Sequence, residues 1–132
     1  MKRSRLREHI FALVFMMDFH PDADMASLSK RYLDYLDGGI KDKDREYIEA
    51  KFLNIVNKLD VLDATIAEKS EGWGLGRMGR VELALIRLAA YEILYDEDVP
   101  TKVAINEAVE LSKRYGQDDS PSFVNGILAK LV

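Results

Sequence analysis

A chain of 132 residues has room for one domain with a sizeable core, but not for two independent ones. Just under half of it is hydrophobic and about a third charged, the balance of a folded soluble protein. With no cysteine it forms no disulfide, iron–sulfur cluster or thiolate zinc site.

The net charge of −4 is unevenly placed. Lys2, Arg3, Arg5 and Arg7 fall within the first seven residues with no acid among them. The other fifteen basic groups face twenty-three acidic ones, a balance of −8. Such a chain is unsuited to coating nucleic acid along its length, yet can hold a polyanion at one end. The apolar stretch over residues 10–19 is short, is interrupted by Asp18 and has no small-residue cleavage pattern after it, so it does not read as a secretory signal. No run approaches the length of a membrane span, and a cytoplasmic protein is expected.

The first helix runs from about residue 3 to 19, with Leu6, Ile10, Leu13, Val14 and Met17 as its core stripe. Its four leading cations oppose the helix dipole, a placement that favours a functional over an accidental origin. Guanidinium groups there can grip phosphates and stack on unpaired bases; a solvated, frayed terminus is the alternative. Phe11, Phe15 and Phe19 form a second apolar face on the same helix. Either two layers of the fold sandwich this helix, or its aromatic face docks a partner or a second copy of the chain.

A second helix is expected over about 24–37, stopped by Gly38-Gly39. A third begins near Asp42 or Asp44, whose carboxylates can accept from the first free amides. The apolar set Ile48, Phe52, Ile55, Leu59, Leu62 and Ile66 outlasts one ordinary helix, which predicts a break near Asp60. The glycine-rich segment Gly72-Trp73-Gly74-Leu75-Gly76 reads as a hinge that divides the chain into halves of about 1–71 and 77–132. It follows no strand and lacks a Gly-Lys-Ser/Thr ending, so a phosphate loop is disfavoured.

The most hydrophobic helix follows, over about 79–95, and is expected to be central. Thr101 is predicted to cap the next helix, which runs to Tyr115 with Gly116 as a left-handed stop. Ser120-Pro121 supplies a capping hydroxyl and a proline at the first helical position of the last helix. Gly126 inside that helix implies either a close helix approach, the favoured reading, or a contact with a bound molecule, and Asn106-Glu107 suggests a polar network. The fold class is all-α: a single compact domain of about seven helices in two helical subdomains.

His9 and His20 are not at ligand spacing, and no cysteine or local nucleophile signature is present. No metal, no cofactor and no catalytic residue is expected.

The phrase from Val99-Pro100 through Glu110, followed by Ser120 and Phe123-Val124-Asn125-Gly126, resembles the hallmark of the NusB family of transcription antitermination proteins. The segment from Val81 to Glu92, with Arg87 and Tyr91, is similar to that family's central helix, and the opening from Arg3 to Glu8 resembles its arginine-rich start. The resemblance covers the chain from end to end in the expected order and is weakest over about 20–72.

It implies an all-helical fold with two subdomains around the first helix, and a partnership with NusE, a ribosomal protein of the small subunit. The pair would bind single-stranded boxA RNA of nascent transcripts and, with other Nus factors on RNA polymerase, suppress premature termination, notably in ribosomal RNA operons. By the same resemblance Lys2, Arg3, Arg5, Arg7, Ser122 and Phe123 would contact RNA, and Phe15 and Glu82 would face NusE. Phe15 departs from the family's frequent tyrosine and loses its hydroxyl; Ser122 stands where a basic residue is common. The rival expectations are a helical protein–protein adaptor that never touches RNA, and a homodimer formed through the first helix.

Overall fold

The computed structural model describes residues 1–36 and 38–132, which form seven α-helices and one 3₁₀ turn, with no strand among them. They divide into two compact units, residues 1–57 and 58–132. The division therefore falls between the third and fourth helices, whereas the glycine-rich segment read as the hinge lies inside the second unit.

The first unit holds α1 (Arg3–Met17), α2 (Met25–Asp34) and α3 (Asp42–Asn57), each packed on the other two. The expected stripe of α1 is buried: Ile10, Leu13 and Val14 are fully enclosed, and Leu6 and Met17 nearly so. Asp24 caps α2, its carboxylate accepting from the Ser27 amide at 3.0 Å and the Ser27 hydroxyl at 2.8 Å. This helix stops at Asp34, sooner than expected; Asp37, read from sequence as its end, lies outside the described residues. Gly38 and Gly39 follow with φ of +75° and +72°, a region that side chains rarely adopt. Asp42 and Asp44 occupy the first turn of α3, where negative charge suits the helix dipole. On its inner side Ile48, Phe52 and Ile55 are completely buried.

The second unit holds α4 (Leu59–Lys69), the 3₁₀ turn Leu75–Arg77, α5 (Arg80–Tyr95), α6 (Thr101–Tyr115) and α7 (Ser120–Ala129). The break expected near Asp60 falls at Lys58, and a separate helix follows it. Helix α5 packs against α4, α6 and α7, and every residue from Leu83 to Glu92 is buried. A helix apolar on all sides needs such a surrounded position. Its buried charge is compensated: Arg87 forks onto Asp63 of α4 with Nε–Oδ1 and Nη2–Oδ2 distances both 2.8 Å. No buried side-chain polar atom among the described residues lacks a partner.

Three sequence expectations for the last two helices change. Thr101 is the first residue of α6 rather than its cap, and the flanking Pro100 has no capping side chain to offer. Gly116 ends α6 at φ −97°, outside the left-handed region. Its reason is contact: a Cβ there would meet Ser120 Oγ at 2.6 Å, Ser120 Cβ at 2.7 Å and the Ser112 carbonyl at 2.8 Å. Ser120 likewise opens α7 without capping it. Its hydroxyl accepts from the Gln117 amide at 2.9 Å and donates to Glu82 Oε2 at 2.6 Å.

Candidate functional site

The leading cations are not equivalent. Lys2, which flanks α1, and Arg3 and Arg5 in its first turn are exposed, and that turn contains no acid to offset them. Arg5 reaches Glu8 at 3.1 Å, with 58% of its own side chain open to solvent. An exposed pair of this kind contributes little and exchanges readily for another anion. Arg7 is different: only 7% accessible and already engaged, it belongs to the interior and is not available as a surface cation. Of the four cations expected to contact RNA, Lys2, Arg3 and Arg5 are exposed and Arg7 is buried. Arg3 and Arg7 share a side of the helix, so the cause is depth along it: Arg3 is the first residue of α1, whereas Arg7 lies one turn further in, among the buried residues from Leu6 to Phe11.

The aromatic stripe opens progressively along α1 and the turn that follows it, where Phe19 lies two residues past the helix end. Phe11 is buried, Phe15 half-buried, and Phe19 is 56% exposed. The rings follow one another, with centroids 6.3 Å apart for Phe11–Phe15 and 5.1 Å for Phe15–Phe19. One end of the stripe is thus core, and the other is apolar surface. Nearby, His9 is buried with Nδ1 2.7 Å from the Tyr32 hydroxyl. Burial lowers its pKa, the Arg5 charge adds to that, and Glu8 opposes it.

In the second unit Ser122 is exposed and Phe123 half-buried at the start of α7. Together with Trp73, Gly126 and Lys130 they line a groove of about 280 Å³. Trp73 approaches Phe123 with ring centroids 6.2 Å apart, and the Arg77 guanidinium lies 4.5 Å from the Trp73 ring centre. Sequence reasoning missed Trp73, Arg77 and Lys130. The available signal was the chain's single tryptophan, set among glycines with an arginine four residues on.

The close contact read for Gly126 is also absent: it is exposed, and a Cβ there would meet nothing within 4 Å. Glu82 is only partly available to a partner. One carboxylate oxygen takes the Ser120 hydroxyl, and the other lies over Gly79, at the start of its own helix. It braces the beginnings of α5 and α7 against each other.

No group of three or more metal-ligating side chains occurs among the described residues, and no helix among them is long and apolar enough to cross a membrane. A small all-helical protein with a cationic leading helix and an aromatic groove is the class that fold and surface define. The NusB family model matches residues 4–132. The transcription antitermination protein NusB of Agathobacter rectalis is 48% identical over 98% of this chain and 98% of its own length. That of Lachnoclostridium phytofermentans is 46% identical over 100% and 99% respectively. The solved structure of T. maritima NusB superposes with a TM-score of 0.91 at 34% identity, covering 99% of this chain and 90% of that one. The chain belongs to the NusB family, and these curated relatives are transcription antitermination proteins.

Proposed function

We propose that this chain is a cytoplasmic antitermination factor that binds boxA RNA of nascent transcripts together with the ribosomal protein NusE. Acting with other Nus factors on RNA polymerase, it suppresses premature termination, notably in ribosomal RNA operons. The observation that carries this reading is the exposed trio Lys2, Arg3 and Arg5 on a chain that is otherwise acidic. Their placement against the α1 dipole costs about 0.3–1 kcal/mol each and repays that cost only when an anion arrives. Ser122 and Phe123 add a hydroxyl and an aromatic face suited to unpaired bases. Phe15, with the exposed Phe19 beside it, supplies apolar surface for NusE, and Glu82 is the NusE-facing residue we assign in the second unit.

Three phosphates neutralised on a single strand give a slope of log affinity against log salt of about −2. That is a modest electrostatic contribution, so tight and selective binding requires the second protein. The test is filter binding of boxA RNA to the chain, with and without NusE, across a salt series. The parent should bind more tightly with NusE present, and the variant with Lys2, Arg3 and Arg5 all replaced by Ala should lose affinity and flatten the slope. If NusE is captured but RNA is not retained at any salt concentration, the reading fails. The exposed end of the Phe15–Phe19 stripe would then mark a protein–protein adaptor.

A further inference from the structure

In the first unit a cleft of about 430 Å³ opens between the end of α1 and α2. Its inner side is apolar, with Leu28 buried and Met16 and Tyr32 half-buried. His20, Arg31 and Tyr35 stand on its open side, Tyr35 with 84% of its surface in solvent. An exposed aromatic beside an apolar cleft is the pattern of a docking anchor rather than of core. The cleft is preformed. His9 Nδ1 lies 2.7 Å from the Tyr32 hydroxyl with the two rings edge to face, and the Asp24 cap fixes the start of α2. Met16 is one 100° step round α1 from Phe15, so the cleft opens on a different side of that helix from the Phe15 ring.

The charge around the cleft is one-sided. Lys30 reaches Asp34 at 2.8 Å and Arg45 reaches it at 2.9 Å, whereas Arg31 pairs with no carboxylate among the described residues. No acid is among the described residues that line the cleft. The space suits about two bulky apolar side chains, the i and i+4 anchors of a helix laid into a groove. An extended segment would instead need a sheet edge, and the described residues contain no strand to offer one.

We propose that this cleft docks an acidic amphipathic helix of a partner protein. Its apolar anchors pack on Met16, Leu28 and Tyr32, Tyr35 covers them from the rim, and a carboxylate on its flank meets Arg31 with the His20 imidazole beside it. A single unpaired guanidinium over an apolar floor suits such a helix better than RNA, whose binding needs a run of phosphate contacts. The inference goes beyond the RNA-binding reading and does not depend on it.

The probe is a synthetic amphipathic peptide with Leu at i, i+3, i+4 and i+7 and Glu along its flanks; a second peptide carries Lys in place of Glu. Binding to the full chain is followed by fluorescence anisotropy, and isotope-labelled methionine methyl groups let Met16 report occupation of the cleft. The Glu peptide should bind and shift the Met16 signal. Tyr35→Ala should weaken it about ten-fold. Arg31→Glu should weaken it about five-fold and strengthen binding of the Lys peptide. Both residues are exposed, so these variants should melt with the parent and retain boxA RNA as the parent does. Replacing Lys2, Arg3 and Arg5 by Ala should leave Glu-peptide affinity unchanged.

No binding of the Glu peptide, or binding that survives both cleft variants, overturns the proposal. So does a loss that follows only the Lys2, Arg3 and Arg5 replacement, which marks attraction to the cationic end of α1. A Met16 shift that grows with protein concentration alone assigns the cleft to a second copy of the chain, and one produced by boxA RNA assigns it to RNA. Either result refutes docking of an acidic helix.

Discussion

Replacing Gly116 by alanine tests the tightest contact in the second unit. The new Cβ would lie 2.6–2.7 Å from Ser120 and 2.8 Å from the Ser112 carbonyl, separations that real Cβ atoms essentially never show. The carbonyl is helix backbone, already accepting from the Gly116 amide at 2.9 Å, so Ser120 must be the group that moves. Overpacking of this kind costs about 1–3 kcal/mol. Driving Ser120 off the Glu82 carboxylate forfeits a hydrogen bond to a charged group, worth about 1.5–3 kcal/mol.

One displacement relieves the clash by breaking the bond, so the two costs do not add, and ~3 kcal/mol is expected. For a domain of this size that corresponds to a fall in Tm of about 12 °C. Thermal unfolding followed by circular dichroism measures it, with Ser120→Ala as the comparison that removes the hydrogen bonds alone. Gly116→Asn decides the cause, because asparagine tolerates the left-handed conformation but carries the same Cβ. If Gly116→Asn melts with the parent while Gly116→Ala melts low, conformation and not contact explains the glycine, and the reasoning is refuted.

The Arg87–Asp63 fork should behave as a coupled pair. Arg87→Ala or Asp63→Ala each strands a charge and should cost about 3 kcal/mol in urea unfolding, towards the low end for a buried pair because Asp63 remains a quarter exposed. Replacing both by apolar residues (Arg87→Met with Asp63→Leu) should recover most of that loss; strictly additive losses would rule out the coupling.

His9 makes stability depend on pH with a definite sign. Its folded pKa lies below the ordinary 6.5, so the unfolded chain takes up the proton first, and stability should fall as pH drops through 6.5 towards the folded value. The His9→Gln variant should lose less denaturation midpoint than the parent between pH 7.5 and 5.5, and equal losses would count against the assignment. Arg7→Ala should lower the melting temperature, as expected for an interior residue, whereas Arg3→Ala and Arg5→Ala should leave it nearly unchanged.

The helices were legible because each rests on a local cause. The period of Leu6, Ile10, Leu13, Val14 and Met17 selects the buried side of α1, Asp24 sets the start of α2, and the dense hydrophobicity of residues 83–92, interrupted by Arg87 and Glu92, requires a surrounded α5. What stayed hidden depends on where distant segments come together. Arg7 looks like its neighbours in a basic tract, and only the packing around α1 one turn in from its start separates it from Arg3 and Arg5. Ser120 has the residue type and spacing of a cap, yet Glu82, 38 residues earlier, claims its hydroxyl. The boundary of the first unit went unseen because the composition changes at the glycines after Ser70, while the packing changes at Lys58.

The two glycines of the C-terminal phrase make the same point with opposite signs. Gly116 looks like a conformational residue and is a packing residue; Gly126 looks like a packing residue and has nothing packed on it. A missing side chain can serve a backbone angle, a neighbour within the fold, or a visitor from outside, and composition does not distinguish the three. The φ of −97° at Gly116 removes the first reason, and three atoms within 2.8 Å supply the second. At Gly126 the helical backbone removes the first and the open space removes the second.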